Sequence, residues 1–164
     1  MLTIRTLTPD SASDAAQVLR VFMEAPSYSH LVEGRAPSNA DVDDFFNSMP
    51  AGKEAADKFT IGLCVGTDMV GCADVIRAYP TSDCAFIGLL IFSEAHQSRG
   101  YGRTALRLIE EMTRGWGCTM IRLAVISTNP RAFAFWQREG FDILYRTSNP
   151  RFTGDVIVMA RAIR

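Results

Sequence analysis

The chain has 164 residues, 48% of them apolar and 21% charged, with a formal net charge of −1. That length suits one domain with a real core, and the composition excludes wholesale disorder. The longest apolar stretch, Ala85 to Phe92, falls far short of the roughly 20 residues that cross a bilayer. Met1–Thr8 also lacks the charged-then-apolar pattern of a signal peptide, so the expectation is a single domain, residues 1–164, in the cytoplasm and off the membrane.

Charge is unevenly placed. Residues 1–82 carry six basic and eleven acidic side chains, a balance of −5, and residues 83–164 carry eleven basic and seven acidic, a balance of +4. An anionic ligand would be better received by the second half and a cationic one by the first, although scattered surface charge gives the same count. Nothing beyond scattered arginines suggests nucleic-acid binding. The cysteines at 64, 72, 84 and 118 form no C-x-x-C pair, and with only His30 and His96 beside them they match no zinc spacing. Reduced, buried thiols and no metal are expected.

Leu2, Ile4 and Thr6 alternate with Thr3, Arg5 and Leu7 as a short strand closed by Thr8-Pro9-Asp10. Asp10 or Ser11 caps a helix with Ala15, Val18, Leu19, Phe22 and Met23 at helical spacing, stopped at Pro26. Ser38, with Asp41 three residues on, opens a second helix carrying Val42, Phe45 and Phe46. The period then becomes that of a sheet. Phe59–Val65 and Met69–Ile76 flank Gly66-Thr-Asp68 as a hairpin, and Cys84–Phe92 adds a third antiparallel strand.

Beyond it, Gly100–Arg114 is an amphipathic helix presenting Ala105, Leu108, Ile109, Met112 and Trp116. Thr119–Ile126 is an apolar strand, which makes strand, helix and strand a crossover unit with parallel strands. Asn129-Pro130 starts a short helix that Gly140 ends, and Phe141–Thr147 and Asp155–Ile163 complete the sheet. The fold class expected is α+β: a mixed, mostly antiparallel sheet of six or seven strands flanked by about four helices.

The segment richest in chemistry is Gln97-Ser98-Arg99-Gly100-Tyr101-Gly102, between a buried strand and a helix amino end. Its glycines let backbone N–H groups approach a ligand, and a helix amino end leaves donors free for phosphate. Arg99 and Arg103 add positive charge. Gly100-x-Gly102-x-x-Ala105 also reads as a dinucleotide fingerprint, but Phe92 lies too far upstream, the preceding strands form a meander, and Met120 stands where an acidic residue is needed.

Q-S-R-G-Y-G resembles the acyl-CoA pyrophosphate loop, [QR]-x-x-G-x-[GA], of the GNAT superfamily of N-acyltransferases. The preceding strand, Ile87–Phe92, stands where that family binds pantetheine. Asn129-Pro-Arg-Ala-Phe-Ala-Phe-Trp-Gln-Arg-Glu-Gly-Phe141 is similar to a second family signature, N-x-x-A-x-x-[FL]-Y-x-x-x-G-F. The resemblance implies acetyl-CoA as acyl donor and a small-molecule or peptide amine as acceptor, joined by direct attack in a ternary complex. It implies that Gln97, Ser98, Arg99, Gly100, Tyr101, Gly102 and Arg103 hold the pyrophosphate. Leu90, Ile91 and Phe92 would pair with pantetheine, with the Leu90 region also supplying an oxyanion donor. Asn129, Phe135 and Trp136 would face the cofactor, and family habit together with exposed strand edges suggests a homodimer.

Two positions depart from the family. Trp136 replaces the tyrosine that commonly protonates the departing thiolate, and an indole N–H is a very poor acid. Phe86 replaces the glutamate base that some members carry. Asp74, a carboxylate in an apolar strand, is the remaining candidate for a base or an ammonium partner, or else one half of a salt bridge. Tyr79 and Tyr145 are further proton-donor candidates, while His96 and Glu94 read as surface residues. The missing acid and base leave open a different class, a non-catalytic acyl-CoA-binding sensor or partner-binding module.

Overall fold

The computed structural model describes residues 1–164. A seven-stranded sheet runs in the order β1-β2-β3-β4-β5-β7-β6. Its members are β1 (Leu2–Thr6), β2 (Lys58–Val65), β3 (Asp68–Ile76), β4 (Cys84–Phe92), β5 (Met120–Ile126), β6 (Asp142–Thr147) and β7 (Val156–Ala162). Every neighbouring pair is antiparallel except β4 and β5. The α+β class and the meander of β2, β3 and β4 agree with the sequence reading. The last strand turns back between β5 and β6, which leaves β6 at the edge with Ile143, Leu144 and Tyr145 exposed.

Five α-helices cover the sheet: α1 (Ala12–Met23), α2 (Pro26–Glu33), α3 (Asn39–Asn47), α4 (Tyr101–Gly115) and α5 (Pro130–Arg138). Ser11 caps α1 by accepting from the Asp14 N–H at 3.1 Å, and Ser38 and Asp41 form the expected capping box on α3. Pro26 does more than end α1. It occupies the first turn of α2, a helix absent from the sequence reading, because a proline that cannot continue one helix is well suited to begin the next. The buried stripe of α4 also differs, running through Ala105, Leu106, Ile109, Glu110 and Thr113 with Leu108 and Met112 only half-buried. Glu110 is tolerated there because it pairs with Arg161 of β7.

Two apolar clusters result. One fills the space between the sheet and α4 and α5, with Leu63, Leu106, Ile109, Ile121 and Met159 at its centre. The other packs α1 and α3 on the opposite side through Val18, Val21, Phe22, Phe45 and Cys72. All four cysteines are buried free thiols. Burial pushes Cys72, Cys84 and Cys118 upward, so they stay protonated and unreactive at neutral pH.

Candidate active site

The decisive feature is a gap in the sheet. β4 and β5 pair only from Cys84 with Met120 to Ile87 with Leu123. Beyond that point β4 stays with β3 as far as Phe92 opposite Gly71, and β5 stays with β7 as far as Ile126 opposite Val156. Gly88–Phe92 therefore has no partner strand on its β5 side, and this stretch holds Leu90, Ile91 and Phe92. A bulge starts the divergence. Asp74 pairs with Leu89 and Val75 with Ile87, which leaves Gly88 as the extra residue.

The amino end of α4 lies beyond the open end of β4. Ser98 (φ 61°) and Gly100 (φ 79°) are both left-handed, so the chain turns sharply into the helix. No side chain caps α4, in contrast to α1, α3 and α5, and its first turn carries no acid, in contrast to α1 and α3. The N–H groups of Tyr101, Gly102 and Arg103 thus lack intrahelical acceptors, and a Cβ on Gly100 would meet nothing within 4 Å. Gly100 is there for its backbone angle and for open space in front of the helix.

Neighbouring residues brace this loop. The Gln97 side-chain amide donates to the Phe92 carbonyl at 2.9 Å, and Arg131 of α5 donates to the Ser98 hydroxyl at 3.1 Å. Arg99 and Arg103 are exposed, with Arg103 at 3.3 Å from Glu139. Gly102 permits close packing of α5, since a Cβ there would lie 3.1 Å from Phe135. Asn129 caps α5 by accepting from the Ala132 N–H at 3.3 Å. Trp136 is buried between Phe135 and Phe141, with ring centroids at 4.9 and 5.2 Å.

On the side of α1, α2 and α3 the bulge forms the floor of a cavity of about 350 Å³. Gly88, Leu89 and Asp74 line it from the sheet, Phe22, Tyr28 and Phe45 from the helices, and Arg151 and Phe152 from the β6–β7 loop. Phe86 lines it too, with the Tyr79 ring edge-on at 5.6 Å. Burial, aided by the Glu33 carboxylate, pushes the Tyr28 phenol up to about 12.

Asp74 is buried and paired. The Lys58 ammonium, itself 4% exposed, lies 2.9 Å from its carboxylate and also donates to the Ser48 carbonyl at 2.6 Å. Burial pushes the Asp74 carboxyl upward against the opposing pull of Lys58. Lys58 is the partner that sequence reasoning missed, because a lysine opening a strand reads as an ordinary surface residue. Gly88 carried a legible signal, as a lone glycine inside an apolar strand often marks a bulge. A Cβ at Gly88 would come within 2.6 Å of Asp74 Oδ1 and 2.8 Å of Oδ2.

The other candidates are sorted by the fold. Tyr79 reaches the cavity wall, but Tyr145 is 52% exposed on the β6 edge and does not line the cavity. His96 is half-buried with Nδ1 at 2.8 Å from the Ser93 hydroxyl. Glu94 is exposed yet accepts from the Ser27 N–H at 3.0 Å, which ties the start of α2 to the loop after β4. Among the acidic residues of the first half, Asp41 and Asp44 line the cavity and Asp43 does not.

Asp41 also sets an acid limit on the fold. Its bonds from Arg35 hold its carboxyl below the ordinary value, so it binds a proton less readily folded than unfolded. The stability it lends is full above the unfolded carboxylate range, near pH 4, and drains as pH falls through its lower folded value. Melting temperature followed from pH 7 to pH 3 should fall more gently in Asp41→Asn, which has no such proton to take up.

The sequence matches the family described as acetyltransferase (GNAT) over residues 18–141. The chain belongs to that family of N-acetyltransferases, whose acyl donor is acetyl-CoA. An acetyltransferase from Thermus thermophilus superposes with a TM-score of 0.78 at 28% identity, covering 99% of this chain and 97% of that one. The PaiA N-acetyltransferase of Thermoplasma acidophilum, in complex with coenzyme A, gives 0.72 at 17% identity over 99% of each chain. The ribosomal-protein-S18-alanine N-acetyltransferase of Escherichia coli gives 0.70 at 17%, covering 99% and 94%. No curated protein matches the sequence. No helix is long and apolar enough to cross a membrane.

Proposed function

We propose that this acetyltransferase moves the acetyl group of acetyl-CoA directly to the nitrogen of a primary amine seated in the cavity beside the β4 bulge. The observation that carries this reading is the meeting of the two features at Gly88 and Leu89: the unpaired stretch of β4 begins where the cavity floor lies. The uncapped amino end of α4 fits a pyrophosphate, since its free N–H groups, its dipole and the open space before Gly100 suit a dianion. Gln97 and Arg131 preorganise that loop. Leu90, Ile91 and Phe92 supply strand backbone to the pantetheine arm, and Asn129, Phe135 and Trp136 form the wall on the α5 side.

The donor supplies an activated acyl carbonyl and a thiol leaving group. The acceptor must arrive neutral, because an ammonium has no lone pair. As its nitrogen joins the acyl carbon the carbon–sulfur bond breaks, the excess proton on nitrogen leaves to solvent, and the sulfur departs as coenzyme A thiol. The chain contributes orientation and a backbone N–H near Leu90 for the developing oxyanion. We assign Asp74 a positioning part, holding the bulge through Lys58. Turnover of Asp74→Asn should fall well below that of the parent protein, and an unchanged rate removes Asp74 from the reaction.

With Phe86 and Trp136 at the family's base and acid positions, solvent carries the protons. For an alkylamine, kcat/KM should then rise about tenfold per pH unit toward the amine's own value near 10. A plateau close to neutral pH would reveal a base within the protein. The direct test is calorimetric titration with acetyl-CoA, followed by thiol release across an amine panel. Micromolar binding with turnover supports the reading. Tight binding with every amine at background would make the protein a sensor instead.

A homodimer is proposed along β6. Antiparallel pairing of two copies about Leu144 would set Asp142 of one opposite Arg146 of the other and join the exposed Ile143 and Tyr145. Sedimentation reporting only a monomer at tens of micromolar protein would overturn it.

A further inference from the structure

The acidic first half of the chain suggests a cationic acceptor, but every carboxylate in the cavity wall already has a cation of the protein's own. Asp74 holds Lys58 at 2.9 Å, and Asp41 holds Arg35 at 2.5 Å. Glu33 takes Arg35 at 2.9 Å and Arg151 at 2.5 Å. Asp44, the most exposed of the four, lies 3.3 Å from Arg151. The uncharged remainder of the wall is mostly ring and hydrocarbon, with Phe22, Phe45, Phe86, Phe152, Leu89 and Ile91 beside the hydroxyl-bearing Tyr28, Tyr79 and Ser29.

We infer that the acceptor is a primary monoamine with an aromatic or bulky aliphatic body, its nitrogen at Gly88–Leu89 and its body against Phe86, Phe45 and Phe152. This rests on the acetyl-transfer reading above and names its acceptor class. Those four carboxylates share three cations, Lys58, Arg35 and Arg151, an excess of one negative charge that a single ammonium would match. A polyamine brings further charges with no carboxylate left to meet them, and a buried charge without a partner is costly. An apolar body gains by leaving water, and the edge-on Phe86–Tyr79 pair shows the kind of ring contact the wall offers. A cavity of about 350 Å³ suits a small molecule of this kind. The ion pairs then act as walls: Arg151 ties the β6–β7 loop to α2 and α3 over the apolar floor.

The test separates acceptor from donor. Calorimetry of the protein with 2-phenylethylamine and with spermidine, without acetyl-CoA, should show the aromatic amine binding at least tenfold tighter. Equal binding, or preference for spermidine, overturns the inference whatever the donor does. In turnover with acetyl-CoA, kcat/KM for 2-phenylethylamine should exceed that for ethylamine about a hundredfold, in line with what a few hydrocarbon groups contribute in an apolar pocket. Failure of acetyl-CoA to bind would strike the donor reading alone, because the amine titration stands by itself. Phe86→Ala should weaken 2-phenylethylamine about tenfold. Phe86→Glu should reverse the order of the two amines by giving the floor an unpaired carboxylate. Phe86→Leu, close in volume, keeps the fold while removing the ring, and its loss of preference for 2-phenylethylamine over n-hexylamine reads the aromatic contact. An unchanged order of amines in Phe86→Glu and Phe86→Leu overturns the assignment of the body to Phe86.

Discussion

Replacing Lys58 with methionine is expected to destabilise the protein by about 3–5 kcal/mol, the usual result of removing one partner from a buried ion pair. The side chains of Lys58 and Asp74 are 4% and 9% exposed, so water can take over only a small part of the lost contact. Methionine keeps most of the lysine's length but leaves an Asp74 charge in an apolar strand and a Ser48 carbonyl without its donor. For a chain of this length that loss lowers the melting temperature by roughly 10 °C or more. The variant Lys58→Met/Asp74→Leu should regain much of it, because it removes both charges together. Chemical denaturation of the two variants beside the parent protein checks this. Equal stability of all three would mean that the pair contributes nothing to the fold.

Gly88→Ala should cost two to three orders of magnitude in kcat, on the scale of losing one well-aimed oxyanion donor. The added Cβ would lie within 2.6 and 2.8 Å of the two Asp74 carboxylate oxygens. Those oxygens cannot swing aside freely, since Lys58 holds one of them. The bulge must shift instead, and with it the direction in which the backbone of Leu89 and Leu90 points. Gly88 is thus a positioning residue, and its signature is a fall in kcat with little change in acetyl-CoA affinity, because the α4 loop is untouched. Steady-state kinetics beside calorimetric titration reads both. An equal loss in affinity would mean that the whole β4 gap has collapsed, and an unchanged kcat would clear the bulge of any part in the reaction.

Residues close together in the sequence made much of this protein legible. The capping box of Ser38 and Asp41, the hairpin of β2 and β3 and the N-cap of Asn129 each span a few residues, so chain-local patterns specify them. The phosphate-type loop is local as well: Gly100 takes its left-handed angle and α4 begins uncapped just beyond it. The helix starting at Pro26 escaped notice because eight residues with few buried positions leave little periodicity to read.

The cavity beside the bulge was not legible, for the opposite reason. Lys58 and Asp74 lie 16 residues apart on neighbouring strands, and Arg151 meets Glu33 across 118 residues and Asp44 across 107. A carboxylate's charge can be read from the sequence, but its pairing depends on which distant cation the fold delivers. By itself the sequence determined the family, every element but α2, the glycine-bearing loop before α4, and that Trp136 and Phe86 stand where the family commonly has its acid and base. Only the tertiary structure decided where β4 and β5 part, that Gly88 forms the bulge, and that each of the cavity's acids already touches a cation of the protein. Hydrogen bonds within a turn are set by neighbouring residues, whereas sheet order and buried ion pairs depend on long-range packing that no short pattern records.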